Sequence, residues 1–348
     1  HYYFISMLSF LMFFVPANAT FSVDNLIKGK DYNKVPSWTI DCLKLLLSIV
    51  YIYSGLAKLN SDWLFKAMPL KIWLPSKFDL PLIGENLMQL EWVHYAMSWG
   101  GMFYDLFIPF LLLYKPTRLL GFVLVVFFHM FTKVLFPIGM FPYIMIIGSL
   151  IFFEADFHIK VLSFIKKMIP SSTSINKIFN NGKSSVLKIY EIKKEKFVLY
   201  IVCLFFVLQF LIPMRYLLYP GELFWNEQGY RFSWRVMLME KKGYSVFKIV
   251  DKKTNTFFYV NNEDFLTPFQ EKQMSFQPDF ILEYAHYLGD TFTSKGYENI
   301  QVFVDSYVAL NGRLSQRYID DTVDLYKEKE SFKHKNWILP FKDEIKGL

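Results

Sequence analysis

Lys58, His129 and His1 are the side chains whose type and setting could do acid–base chemistry in this sequence. Lys58 closes an apolar run in YIYSGLAKLNSDW, residues 51–63. In such a place a lysine either snorkels, with its methylenes on apolar surface and its ammonium at the interface, or it is buried. Burial disfavours the charged form and leaves an amine that can take a proton. His129 lies within the fourth apolar run of the chain, in VVFFHMFTK, and His1 begins the first. A titratable group at that depth is costly and marks function by default, although a hydrogen bond between helices is an equally physical reason for it. Asp105, in SWGGMFYDLFIPFLLL, reads as a structural partner for another polar group rather than as a catalyst. His94, His158, His286 and His334 have no metal-ligand spacing and read as surface or interfacial residues. With no HExxH, no CxxC and no glycine-rich phosphate loop, zinc-protease, dithiol and nucleotide chemistry find no support, and no metal is expected.

These groups need a scaffold that keeps them out of water. Of the 348 residues, 53% are hydrophobic, 20% aromatic and 20% charged, which excludes a disordered chain, a disulfide scaffold and an ordinary water-soluble enzyme. Apolar runs at 1–17, 42–58, 93–114, 118–136, 138–153 and 197–215 approach or reach the roughly 20 residues that a hydrocarbon core requires. The fifth is short and carries Pro142, so it is expected to be a tilted or broken span, still counted as one crossing. No basic segment or cleavage site marks the first run as a signal peptide, and upstream residues are expected before His1.

Charge orients the spans. Residues 1–218 hold 21 Lys+Arg against 12 Asp+Glu, whereas 219–348 hold 17 against 19. A basic excess confined to the apolar part argues for membrane orientation and against nucleic acid. Loop 154–196 is rich in lysine, from Lys160 to Lys196, and should be cytoplasmic. Counting back two crossings puts Lys115 and Arg118 on the same side. Counting forward one crossing puts 219–348 outside, facing loop 59–92, and lets His1, His129 and Lys58 converge in the outer half of the bundle. The expected fold is a membrane α-helical bundle, 1–218, followed by an extracytoplasmic α+β domain, 219–348. In the latter, 244–260 reads as a hairpin about residues 251–255, and 300–319 as one about the two-residue turn Asn311-Gly312. A helix is expected from Pro278 through Phe280, Ile281, Tyr284, Ala285 and Leu288. Both cysteines, Cys42 and Cys203, fall at or in spans, so the outer domain is stabilised by packing alone. The polar stretch 170–185 reads as loop.

Five segments taken together resemble the vitamin K-dependent gamma-carboxylase family in its bacterial style, with an HTTM-like membrane domain. They are HYYFISMLSFLMFFVPAN at 1–18, YSGLAKLNSDWL at 53–64, FHMFTKVLFPIGMFPYIM at 128–145, NEQGYRFSWRVML at 226–238 and YVALNGRLSQRYIDDTVDL at 307–325. The resemblance implies an integral membrane carbon–carbon lyase, a gamma-glutamyl carboxylase, in a bacterial inner membrane. Its cofactors would be vitamin K hydroquinone, a reduced naphthoquinone, with O2 and CO2, and its partner a glutamate-containing peptide presented beside membrane lipid. It implies that Lys58 deprotonates the hydroquinone and that epoxidation by O2 then drives carboxylation of the glutamate. His1 would position or stabilise the carbanion that captures CO2, and His129 would support the quinone pocket. The glutamate site would be Tyr230, Arg231, Phe232, Ser233, Trp234, Arg235, Val236 and Met237, with Arg231 and Arg235 pairing the substrate carboxylate or, alternatively, holding lipid headgroups. The pocket should be dry, because water would quench a strong base. The family's vertebrate-type disulfide has no cysteines here, and no dedicated propeptide-binding region is expected after Trp337. Other classes stay open: a quinol epoxidase without peptide carboxylation, a non-catalytic receptor or scaffold, and a proton-coupled transporter using Lys58, Asp105 and His129. Only one candidate broken helix speaks for the last.

Overall fold

The computed structural model describes residues 2–19, 22, 23, 27, 32, 34–81, 83–168 and 189–347. His1 and the stretch 170–185 lie outside the described residues. The helices of the first part are α1 (Tyr2–Phe14), α2 (Trp38–Ala57), α3 (Ser61–Lys66), α4 (Leu70–Trp73), α5 (Glu91–Leu113), α6 (Arg118–Leu135), α7 (Phe141–Gly148), α8 (Ala155–Met168) and α9 (Glu195–Leu211). Four of the described helices are long and apolar enough to cross a membrane: α2, α5, α6, and α9 with its 3-10 continuation to Leu218. Helix α1, and α7 with its continuation to Phe152, are apolar but shorter. Pro142 sits in the first turn of α7, where its missing N–H costs nothing, so it starts this helix and does not break it. Pro109 lies inside α5 and removes the N–H that would bond the Asp105 carbonyl.

The lysine-rich segment after α7, expected to be loop, begins as helix α8. Exposed Ile159, Phe164 and Met168 alternate there with Lys160 and Lys167, the pattern of a helix that lies in a membrane interface.

The C-terminal part carries α10 (Leu223–Asn226), α11 (Pro268–Met274) and α12 (Pro278–Ser294), with β1 (Lys241–Asp251), β2 (Thr256–Tyr259), β3 (Ile300–Leu310) and β4 (Gln316–Arg317). Its sheet is antiparallel in the order β2-β1-β3-β4. Alternation along β1 and β3 buries Phe247, Ile249, Val302, Val304 and Val308, and α12 contributes Ile281, Tyr284, Ala285 and Leu288 to the same core. The Phe247 and Tyr284 rings meet edge to face at 4.9 Å. Both expected hairpins form, but the second has a five-residue connection from Leu310 to Gln316 in place of a two-residue turn. Asn311 and Gly312 do adopt left-handed φ values of 48° and 75°. Asn311, however, is drawn away from the hairpin by hydrogen bonds to Glu240, whose N–H it accepts at 2.8 Å, and to Asp62 at 2.9 Å.

Compactness groups the chain into two units, 1–55 with 103–211 and 56–102 with 212–348.

Candidate functional site

In the first unit, α2 supplies Tyr51 and Ser54, α5 supplies Tyr104 and Asp105, and α6 supplies Phe128 and His129. The Tyr51 hydroxyl lies 3.0 Å from His129 Nε2, and both residues are buried. His129 thus makes the helix-to-helix hydrogen bond that sequence alone left as one of its two explanations. The Tyr104 ring stacks on Phe128 with centroids 3.8 Å apart and stands edge-on to Tyr51 and His129 at 6.0 and 6.2 Å. Phe141 closes on His129 from α7 at 6.0 Å. Among the described residues the buried Tyr104 hydroxyl has no hydrogen-bond partner. An orphaned hydroxyl among aromatic faces fits a flat ring that carries oxygens. Asp105 accepts a hydrogen bond from Ser54 Oγ at 2.7 Å, which is the structural partnership read from the sequence. Close approach makes this bond possible: a Cβ on Gly55 would stand 2.7 Å from Leu106.

In the second unit, Lys58 follows the last residue of α2 and is only 6% exposed, so it is buried rather than stretched into water. Its ammonium lies 5.5 Å from the centre of the Trp63 ring, a cation–π contact. The turn that carries it is fastened at both ends by Asn60, whose Nδ2 donates to the Ala57 carbonyl at 2.8 Å and whose Oδ1 caps α3 through the Trp63 N–H at 2.9 Å. Trp63 is itself fixed, since its Nε1 donates to the Ser98 carbonyl at 2.7 Å and Ser98 Oγ donates back to the Trp63 carbonyl. Next to it in the chain, Asp62 is fully buried and receives a two-pronged bond from Arg313 at 2.6 and 2.7 Å, together with Asn311 Nδ2 at 2.9 Å. Burial works against the Asp62 carboxylate, but the Arg313 and Asn311 hydrogen bonds and the Arg313 charge outweigh it, so the carboxyl stays below its ordinary range. The sequence pattern did not single out Asp62 and Arg313, and Asn311 read only as a turn residue. They lie in two of the five resembling segments, in LNSDW and LNGRL, which the fold brings together.

The 230–237 segment is backbone-strained. Non-glycine residues Phe232, Trp234 and Met237 have φ of 62°, 59° and 55°, and Glu227 just upstream has 58°. Tyr230 Oη donates to the Arg235 carbonyl at 3.0 Å, and Ser233 Oγ donates to the Tyr230 carbonyl. Arg231 is engaged by Asp279 at 3.2 Å and Gln277 at 3.4 Å. Arg235 lies over the Tyr216 ring at 4.5 Å, and burial pushes its guanidinium down from its ordinary value. The segment is anchored through a buried pair, Lys241 Nζ to Glu227 Oε1 at 2.7 Å, with Lys241 also donating to the Trp225 carbonyl at 2.7 Å. His94, expected near the surface, is buried, and its Nε2 lies 2.8 Å from the Met88 carbonyl, which offsets the loss of water. Among the described residues, no group of three or more His, Cys, Asp or Glu side chains could hold a metal ion.

A model of the HTTM domain matches residues 1–157, and one of the vitamin K-dependent gamma-carboxylase lumenal domain matches residues 194–344. Fold and matches together define an integral membrane protein with an extracytoplasmic α+β domain at its C-terminal end. The two matches support the vitamin K-dependent gamma-carboxylase family. No solved structure matches it.

Proposed function

We propose that the chain is a gamma-glutamyl carboxylase of the carbon–carbon lyase class, coupling epoxidation of vitamin K hydroquinone by O2 to addition of CO2 at a peptide glutamate, in a bacterial inner membrane. Lys58 Nζ takes the hydroquinone hydroxyl proton. Its burial beside Trp63, at the end of an apolar helix in a chain of this family, is the observation that carries the assignment. The bound hydroquinone supplies, with O2, the strong base that a glutamate γ-proton requires. His129, held by Tyr51, and Tyr104 with its unfilled hydroxyl support the quinone ring. His1 acts on the carbanion that captures CO2. Tyr230, Ser233, Trp234 and Met237 shape the peptide site, and Arg231 and Arg235 meet the substrate carboxylate.

The test is full-length protein in nanodiscs with reduced vitamin K, O2, labelled bicarbonate and a glutamyl peptide. Epoxide together with labelled peptide is the expected result. A quinol epoxidase without carboxylation is the second reading, supported by the pairing of Arg231 with Asp279, and epoxide without labelled peptide would establish it. Neither product would leave a non-catalytic receptor.

A further inference from the structure

The turn at 331–335 in the second unit is held from several sides. Tyr219 Oη donates to the Phe332 carbonyl at 2.9 Å, Gln228 Nε2 donates to the Lys333 carbonyl at 3.2 Å, His334 Nδ1 lies 2.6 Å from Gln228 Oε1, and Lys335 pairs with Asp279. A turn fixed in this way presents the Phe332 ring 86% exposed. Tyr219, which holds it, is the residue directly after the apolar span Glu195–Leu218, and Leu217 and Leu218 at the end of that span are 63% and 82% exposed. The strained 230–237 segment returns to the same place. Arg215, in the last part of the span, donates to the Arg231 carbonyl at 2.7 Å and lies 5.8 Å from the centre of the Phe232 ring. Along that segment Ser233 and Trp234 turn inward, whereas Phe232 and Val236 turn outward, 52% and 40% exposed.

Five apolar side chains are therefore arrayed about one span end, with Arg215, Tyr216, Tyr219 and Lys333 among them. An exposed apolar patch bordered by cations and tyrosines is the composition that settles at a membrane–water interface. We infer that Leu217, Leu218, Phe232, Val236 and Phe332 form a docking rim that seats the C-terminal unit in the interfacial layer of the lipid bilayer. The occupant is lipid, because the rim is continuous with a membrane span and its two phenylalanines are tied to Arg215 near the end of that span and to Tyr219 directly after it. The left-handed residues at 232 and 234 then have a reason: they let neighbouring side chains face lipid and the interior in turn. This inference needs the membrane span and not the carboxylase chemistry.

The test uses single cysteines, Phe332→Cys, Phe232→Cys and, as control, Phe269→Cys, in full-length protein with Cys42→Ser and Cys203→Ser. Phe269 is 71% exposed on α11. Each is labelled with an environment-sensitive fluorophore in nanodiscs of phosphatidylglycerol and phosphatidylcholine. Spin-labelled lipid with a shallow nitroxide should quench positions 332 and 232 several-fold more than aqueous iodide does, and position 269 should show the reverse. Should a labelled variant fail to fold, the unaltered protein is irradiated with a lipid-borne carbene precursor, and peptides containing Phe232 and Phe332 should carry the adduct while that containing Phe269 does not. Iodide quenching at 332 and 232 equal to that at 269, or no lipid adduct on their peptides, would overturn the rim.

Discussion

Lys58 has two properties that pull apart. Burial withholds the water that an ammonium wants, while the Trp63 face lies within cation–π reach of it. If that amine starts the reaction, Lys58→Ala should lower epoxide formation about 100-fold or more, as removal of a general base does, with quinone binding retained. Assay of both products separates the roles: Lys58→Ala should lose epoxide and labelled peptide together, whereas His1→Ala should keep epoxide and lose CO2 incorporation. Full epoxidation by Lys58→Ala would remove the lysine from the chemistry, and parallel loss of both products by His1→Ala would move His1 to the quinol step. A merely snorkelling lysine is the commoner reading of such a position in sequence, because exposure depends on what packs over the side chain, here Trp63 and the turn held by Asn60.

Helix α2 packs against α5 with almost no room between the two backbones. The Gly55 Cα faces Leu106 of α5, with the Leu106 backbone nitrogen only 2.9 Å from where a Cβ would be, so Gly55→Ala cannot be absorbed by a side-chain shift alone. It should lower the thermal midpoint by several degrees and loosen the adjoining Ser54–Asp105 bond, while Gly100→Ala, where no atom lies within 4 Å, should be neutral or stabilising through better helix propensity. Equal midpoints for the two variants would refute the close approach. The clamp on α3 carries a pH signature. Because the folded Asp62 carboxyl is held below its ordinary value, it contributes stability above about pH 4 that is lost as pH falls through the folded value. Asp62→Asn should cost about 3 kcal/mol at neutral pH by leaving Arg313 short of its buried partner, and should flatten the acid limb of a stability–pH curve. An unchanged acid limb would mean that other carboxylates carry it. The clamp was invisible in the sequence for a plain reason: Asp62 and Arg313 are 251 residues apart, and hydrophobic periodicity reports only on neighbours. Spans and strands, by contrast, are local patterns of length and alternation, which is why four crossing helices, the β1–β2 hairpin and α12 were legible.

The same long-range bonds constrain the path of the chain through the membrane. Residues 59–66 and 311–313 share one hydrogen-bonded cluster, so they must emerge on one side of the bilayer, and the number of crossings between them must be even. Helices α5, α6 and α9 give three. Among the described residues the candidate for the fourth is Phe141–Phe152, despite its twelve residues, which at about 1.5 Å per α-helical and 2.0 Å per 3-10 residue reach only roughly 20 Å of a hydrocarbon core near 30 Å. A short span of this kind is accommodated by local thinning of the bilayer and by flanking residues that snorkel. Charge points the same way, since nine lysines lie in 154–196, whereas the segment from Phe136 to Met140 carries none. Single cysteines in a cysteine-free background test the whole path in intact cells. An impermeant maleimide should label Met140→Cys and Asn261→Cys directly, but Lys115→Cys and Lys193→Cys only after lysis. Labelling of 140 and 193 on the same side would show that Phe141–Phe152 does not cross. The parity that the Asp62–Arg313 cluster demands would then have to be met by some other segment between Lys58 and Tyr219.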